Sequence, residues 1–129
     1  MLLVRLVKSI PERDDVQIIV VDDNSPDSET YTERFPELGC KGLELYLTHE
    51  GRGAGYARNV GLDHAQGKWL IFADSDDFFE VDFNDILDEY IDAEEDVLYF
   101  NHRSVYSDDI TRESNKDKHD ILFEWYAKN

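Results

Sequence analysis

The chain has 129 residues, of which 13 are Lys or Arg and 30 are Asp or Glu, giving a formal net charge of −17. With 41% apolar and 33% charged residues, it can bury one core and is expected to form a single domain over residues 1–129, with no room for a second large one. The lone Cys40 excludes a disulfide framework and fits a reducing compartment. No apolar run approaches the roughly 18 residues that cross a bilayer, and the charge repels nucleic acid and anionic lipid.

In chain order, Leu3, Leu6, Val7 and Ile10 fall at helical spacing. Residues 16–21 (VQIIVV) are almost wholly apolar and β-branched, as in a parallel strand covered on both faces. The turn-rich Asp22-Asp23-Asn24-Ser25-Pro26-Asp27 follows. Residues 28–35 read as a short helix stopped before Pro36, and 39–42 as loop. Residues 43–47 alternate as a strand. The glycine-rich stretch 50–55 leads into a helix running to about Gln66 and stopped by Gly67. Residues 68–73 (KWLIFA) are predicted to be a second buried strand. Ile86, Leu87, Tyr90 and Ile91 predict a helix, 97–100 a further strand, 107–120 a polar loop, and Ile121, Leu122 and Trp125 a final helix. Alternating strands and helices predict an α/β fold with a mostly parallel sheet.

The placement of the acids says more than their number. Between Asp74 and Asp96 there are 12 acids in 23 residues and no Lys or Arg, and most of these suit a solvated helix face. Asp74-Ser75-Asp76-Asp77 differs, because it sits at the carboxyl end of a predicted strand, as Asp22 and Asp23 do. In open α/β sheets that edge is where ligands bind. Two carboxylate pairs on one rim are expected to repel and to raise one another's pKa unless a cation compensates. Other motifs fail. Gly51, Gly53 and Gly55 do not complete G-x-G-x-x-G, Trp69 breaks a P-loop after Gly67-Lys68, and the four histidines lack zinc-ligand spacing.

Three segments together resemble family 2 glycosyltransferases of the GT-A fold: Ile18-Ile19-Val20-Val21-Asp22-Asp23-Asn24-Ser25, then Gly55-Tyr56-Ala57-Arg58-Asn59-Val60-Gly61-Leu62, then Gly67-Lys68-Trp69-Leu70-Ile71-Phe72-Ala73-Asp74-Ser75-Asp76-Asp77. The resemblance implies a Rossmann-like three-layer sandwich that binds a nucleotide-diphosphate sugar, commonly UDP-linked, and passes the sugar to an acceptor hydroxyl with inversion. It implies Mn²⁺ or Mg²⁺ held by the D-x-D, with Asp76 the principal metal position and Asp74 facing the ribose or metal shell beside Ser75. By the same resemblance Asp22 reads the uracil edge with Asp23 beside it, and Arg52, Gly53 and Arg58 lie in the nucleotide pocket. Arg58 could instead pair with the acidic rim, and Asn59 and Gly61 are expected to set helix packing. The implied setting is cytoplasmic, at the inner membrane face in the parent protein, in cell-envelope polysaccharide synthesis.

The chain departs from the family twice. The family's opening strand, of the type I-I-I-P-x-Y-N, is not found, and the first ten residues fit the helix that follows it. The sheet is therefore expected to be incomplete, with exposed edges that a second copy of the chain could cover. No catalytic base is recognisable after residue 100, since Asp108, Asp109 and Glu113 are acids in a polar loop. The chain thus reads as the nucleotide-binding part of a transferase. Two alternatives stay open: a non-catalytic nucleotide-binding remnant, and a response-regulator receiver domain phosphorylated on Asp74.

Overall fold

The computed structural model describes residues 2–39 and 43–101. It divides into two compact units, Met1–Ile91 and Asp92–Asn129. In the first, the order is helix α1 (Leu2–Ser9), strand β1 (Ile18–Asp22), a 3₁₀ turn (Ser28–Thr30), the short helix α2 (Tyr31–Arg34), a second 3₁₀ turn (Pro36–Gly39), strand β2 (Leu43–Leu47), helix α3 (Ala54–His64) and helix α4 (Phe83–Tyr90). β1 and β2 pair in parallel, with Ile18 opposite Leu43 and Asp22 opposite Leu47. A parallel pair requires a crossover, which the helical turns between Ser28 and Gly39 supply.

Local chemistry explains each boundary. α2 stops because Phe35 precedes Pro36 and takes φ −133° and ψ 80°, outside the helical region. α1 buries Leu6 and Val7 on one face, and Lys8 in its last turn suits the negative end of the helix dipole. The Gln17 side chain pins the start of β1: its amide donates to Glu44 Oε1 at 3.0 Å and to the His64 carbonyl at 3.1 Å, and its oxygen accepts from Gln66 N–H at 2.9 Å. The buried apolar residues among the described ones are Leu6, Val7, Leu38 and Phe83, and Leu38 alone is fully buried. Leu38 lies in the 36–39 turn, which packs on α1, α2 and β2. Phe83 stacks on Phe79 with ring centroids 4.1 Å apart, and Phe79 N–H donates to Ser9 Oγ of α1 at 2.9 Å. Arg13 joins the loop after α1 to α4 through Asn84 and Asp88, and grips Asp15 with two 2.8 Å bonds.

Two predicted strands do not form. Residues 68–73 are irregular, bent at 68 and 69, and carry no ladder bonds, and Leu70, Ile71 and Phe72 are about half exposed, at 51%, 48% and 58%. Residues 97–100, in the second unit, are likewise irregular, with Val97, Tyr99 and Phe100 exposed. Both runs have strand composition, but an extended backbone becomes a strand only when a neighbour accepts its hydrogen bonds. Among the described residues the sheet is two-stranded, so β1 has β2 as its one strand neighbour. Cys40 and the helix predicted around Ile121 lie outside the described residues.

α3 packs on β1 through Gly61, where an added Cβ would meet Val21 Cγ2 at 3.7 Å and Ile19 Cγ2 at 4.0 Å. These are ordinary contact distances. Gly61→Ala is therefore expected to raise the melting temperature by a few degrees, since alanine in a helix interior gains about 1 kcal/mol over glycine. A fall on a thermal scan would mean that the α3–β1 seam has no space for one methyl group. Asn59, expected beside Gly61 as a packing residue, is exposed.

Candidate functional site

The carboxyl end of β1 delivers two adjacent aspartates with different surroundings. Asp22 Oδ1 accepts from Ser25 N–H, three residues on, at 2.8 Å, and Oδ2 accepts from Tyr31 OH at 3.2 Å. Asn24 and Asp27 both adopt positive φ in this turn, conformations that Asn and Asp tolerate better than most residues. Asp23 turns instead toward the loop after β2. Its Oδ1 accepts from Thr48 Oγ1 and from Gly51 N–H at 2.9 Å, while Oδ2 accepts from Gly53 N–H at 2.5 Å.

The expectation that crowded carboxylates would rise in pKa is corrected at Asp23. The Thr48 hydroxyl, followed by the loop amides of Gly53, Gly51 and Arg52, holds it below the ordinary carboxylate range, against the opposing effect of desolvation. A depressed folded-state pKa gives stability that is present above the unfolded value of about 3.9 and is lost as pH falls through the folded value. Asp23→Asn is therefore expected to melt below the wild type at pH 6. The gap should narrow steadily below about pH 4; a gap independent of pH would deny that the ionised carboxylate is what the loop bonds to.

The second acidic tip is the turn at 74–77. Asp77 N–H donates to the Asp74 carbonyl at 2.9 Å, and Asp74 N–H donates back to Asp77 Oδ2 at 3.1 Å. Two arginines flank it. Arg58 of α3 donates to Asp74 Oδ1 at 2.8 Å, so this arginine pairs with the acidic rim. Arg5 of α1 donates to the Asp76 carbonyl at 2.5 Å and lies 4.9 Å above the Phe78 ring. The Asp76 and Ser75 side chains are exposed. Arg52 stands over the Tyr56 ring at 4.4 Å, with Glu50 Oε2 3.6 Å from its Nη1.

One stretch of chain thus serves both tips: Asp23 bonds at Thr48, Gly51 and Gly53, and Asp74 bonds at Arg58. The site is open, and two surface hollows among the described residues lie elsewhere. One of about 510 Å³ lies beside Lys8, Pro11 and Phe79, and one of about 310 Å³ beside Asp14, Glu44 and Gly67. Among the described residues no three His, Cys, Asp or Glu side chains converge as a ready-made metal cage. Sequence reading missed Thr48, Tyr31 and Arg5. Thr48 was within reach of it, because with Asp22 opposite Leu47 in a parallel pair the next residue of each strand, 23 and 48, must also be neighbours. Arg5, separated from Asp76 by 71 positions, leaves no such trace.

The family model for glycosyl transferase family 2 matches residues 2–128. The chain belongs to glycosyltransferase family 2. Its incomplete α/β arrangement is of the Rossmann-like GT-A type that this family takes. It is 29% identical over 96 residues to EpsH of Bacillus subtilis (strain 168), which carries a glycosyltransferase name, covering 74% of this chain and 27% of that protein. It is 33% identical over 91 residues to the glycosyltransferase GlyA of Streptococcus pneumoniae, covering 69% of this chain and 13% of GlyA. Over 90 residues it is 28% identical to the minor teichoic acid biosynthesis protein GgaB of Bacillus subtilis, covering 65% of this chain and 9% of GgaB. The chain therefore spans about a quarter or less of these three relatives. No solved structure matches. Membership of family 2 sets aside the receiver-domain alternative for Asp74. No helix among the described residues is long and apolar enough to cross a membrane.

Proposed function

We infer that this family 2 chain supplies the nucleotide-sugar-binding part of an inverting glycosyltransferase, which takes a sugar from a UDP-linked donor to an acceptor hydroxyl in cell-envelope polysaccharide synthesis at the cytoplasmic face of the membrane. The observation that carries this reading is that one stretch, Thr48 to Arg58, bonds to both aspartate tips, Asp23 and Asp74.

Each residue then has a task its geometry allows. The Asp22 carboxylate accepts one bond at each oxygen, which leaves lone pairs for the N–H of a uracil edge. Arg52, its side chain 63% exposed, can donate two parallel bonds to a diphosphate oxygen pair. Asp74 and Asp76 offer the hard oxygen donors that suit Mn²⁺ or Mg²⁺. A cation held by one or two carboxylates is completed by the phosphates of its ligand, so a pre-formed protein cage is not required. When bound, such an ion neutralises the charge that builds on the departing diphosphate. In the transfer itself, the acceptor oxygen forms its bond to the anomeric carbon as the carbon–oxygen bond to the diphosphate breaks. The acceptor proton passes to a base for which the described residues offer no candidate.

Titration calorimetry of UDP into the chain, with and without millimolar MnCl₂, tests this reading. Saturable binding that requires the metal is expected. An absence of heat under both conditions would overturn the reading.

A further inference from the structure

Helix α1 reaches the second acidic tip at two points, and both contacts are to its backbone. Arg5 Nη2 donates to the Asp76 carbonyl at 2.5 Å, and Ser9 Oγ accepts from Phe79 N–H at 2.9 Å. Arg5 and Ser9 stand four positions apart in the helix, so they lie one above the other on a single face. Each is committed to this contact. The Ser9 hydroxyl donates to the Leu6 carbonyl at 2.6 Å, which leaves its oxygen to accept from residue 79. The Arg5 guanidinium lies over the Phe78 ring at 4.9 Å, and its Nε is buried with no hydrogen-bond partner, an arrangement that costs free energy. That cost is borne where the other end of the same group holds residue 76.

The segment so gripped has no regular structure of its own. Residues 77–80 belong to no helix or strand, and the 74–77 turn closes on itself through the bonds between Asp74 and Asp77. With no strand beside it, the orientation of this backbone depends on side chains that reach it from elsewhere. Fixing the carbonyl of residue 76 and the N–H of residue 79 sets the direction in which the exposed Asp76 side chain leaves the chain. We propose that α1 is a splint for this turn: Arg5 and Ser9 are positioning residues that hold the backbone at 76–79 and thereby hold the Asp76 carboxylate ready for a divalent cation. This rests on the nucleotide-sugar reading above.

Magnesium chloride titrated into the free chain, followed by the amide signals of Ser75, Asp76 and Asp77, reads this turn apart from the other acids. Arg5→Ala is the decisive variant, because charge and position act in opposite directions there. Removing a nearby cation strengthens the attraction for Mg²⁺, whereas releasing the turn weakens it. The half-saturating concentration is expected to rise about tenfold, the low end of what losing an orienting partner of a metal ligand costs. Arg5→Lys, which can still donate to the carbonyl, should recover most of that loss. Ser9→Ala should raise the same concentration with no change of charge. The double variant Arg5→Ala/Ser9→Ala should cost less than the product of the two, since both release one segment. Arg13→Gln is the stability control. It breaks the tie to Asn84 and Asp88 without touching residues 75–79, so it should melt lower and keep the wild-type response to Mg²⁺. An unchanged or lower half-saturating concentration in Arg5→Ala would overturn the proposal and leave the nucleotide-sugar reading standing. Equal losses in Arg13→Gln and Arg5→Ala would do the same, since general destabilisation would then account for both. If the wild type gives no saturable response at these amides, even with UDP present, the reading and the proposal fall together.

Discussion

Replacing Leu38 with alanine is expected to remove about 2–5 kcal/mol of folding free energy, the range for a buried leucine truncated in a packed core. Leu38 is 1% exposed, the most deeply buried large side chain among the described residues, in a turn that packs against α1, α2 and β2. The consequence is large because its buried apolar companions among the described residues are few: Leu6, Val7 and Phe83. Domains of this size carry about 5–15 kcal/mol in total, so one such truncation takes a substantial part of the whole. Leu62, which is 40% exposed on α3, provides the internal comparison, and Leu62→Ala should cost under about 1 kcal/mol. Urea titrations followed by far-ultraviolet circular dichroism measure both, with an unchanged slope confirming that the same transition is being read. Equal midpoints for the two variants would show that the 36–39 turn is not part of the core.

The helices were the most legible part of the fold. The spacing of Leu6 and Val7, the stop at Pro36 and the lead-in at Gly53 are local signals, and α1, α2 and α3 follow them. β1 and β2 were also readable, because continuous β-branched or alternating runs left little choice of element. The run at 68–73 carries the same composition and fails to become a strand. Composition reports what a segment can do in a sheet, whereas pairing depends on another segment elsewhere, and β1 pairs with β2 alone among the described residues. The site shows the same division. Its acidic tips could be found from the chain order of strand and aspartate, and the pairing of Arg58 with Asp74 was within reach as one of two options. Their remaining partners, the loop amides of Gly51 and Gly53 and the Arg5 side chain, were not. That Asp23 is consumed by a loop, and that Arg5 supports the 74–77 turn from α1, depends on tertiary placement that no local spacing encodes.

On the proposed reading, Asp76→Ala is expected to weaken metal-dependent UDP binding by about a hundredfold or more, and to abolish the rise in melting temperature expected of the wild type on adding Mn²⁺. The expectation comes from how the two candidate ligands are held. Asp74 shares its Oδ1 with Arg58 at 2.8 Å, and both side chains of that pair are well exposed, at 67% and 45%. An exposed pair of this kind holds weakly, so a divalent ion can compete for the oxygen. Asp76 is fixed through its carbonyl by Arg5, which steadies the backbone and leaves the exposed carboxylate for a cation. Removing Asp76 therefore deletes a ligand without disturbing the turn bonds between Asp74 and Asp77. In the wild type, metal at a hundred times its dissociation constant stabilises the folded state by about 2.7 kcal/mol, a shift that a thermal scan resolves easily. Arg58→Ala is the informative contrast. It frees Asp74, so the response to Mn²⁺ should persist and saturate at a several-fold lower concentration. If Asp76→Ala keeps the full response while Arg58→Ala loses it, the cation does not sit at the 74–77 turn, and the donor site must be sought along α3.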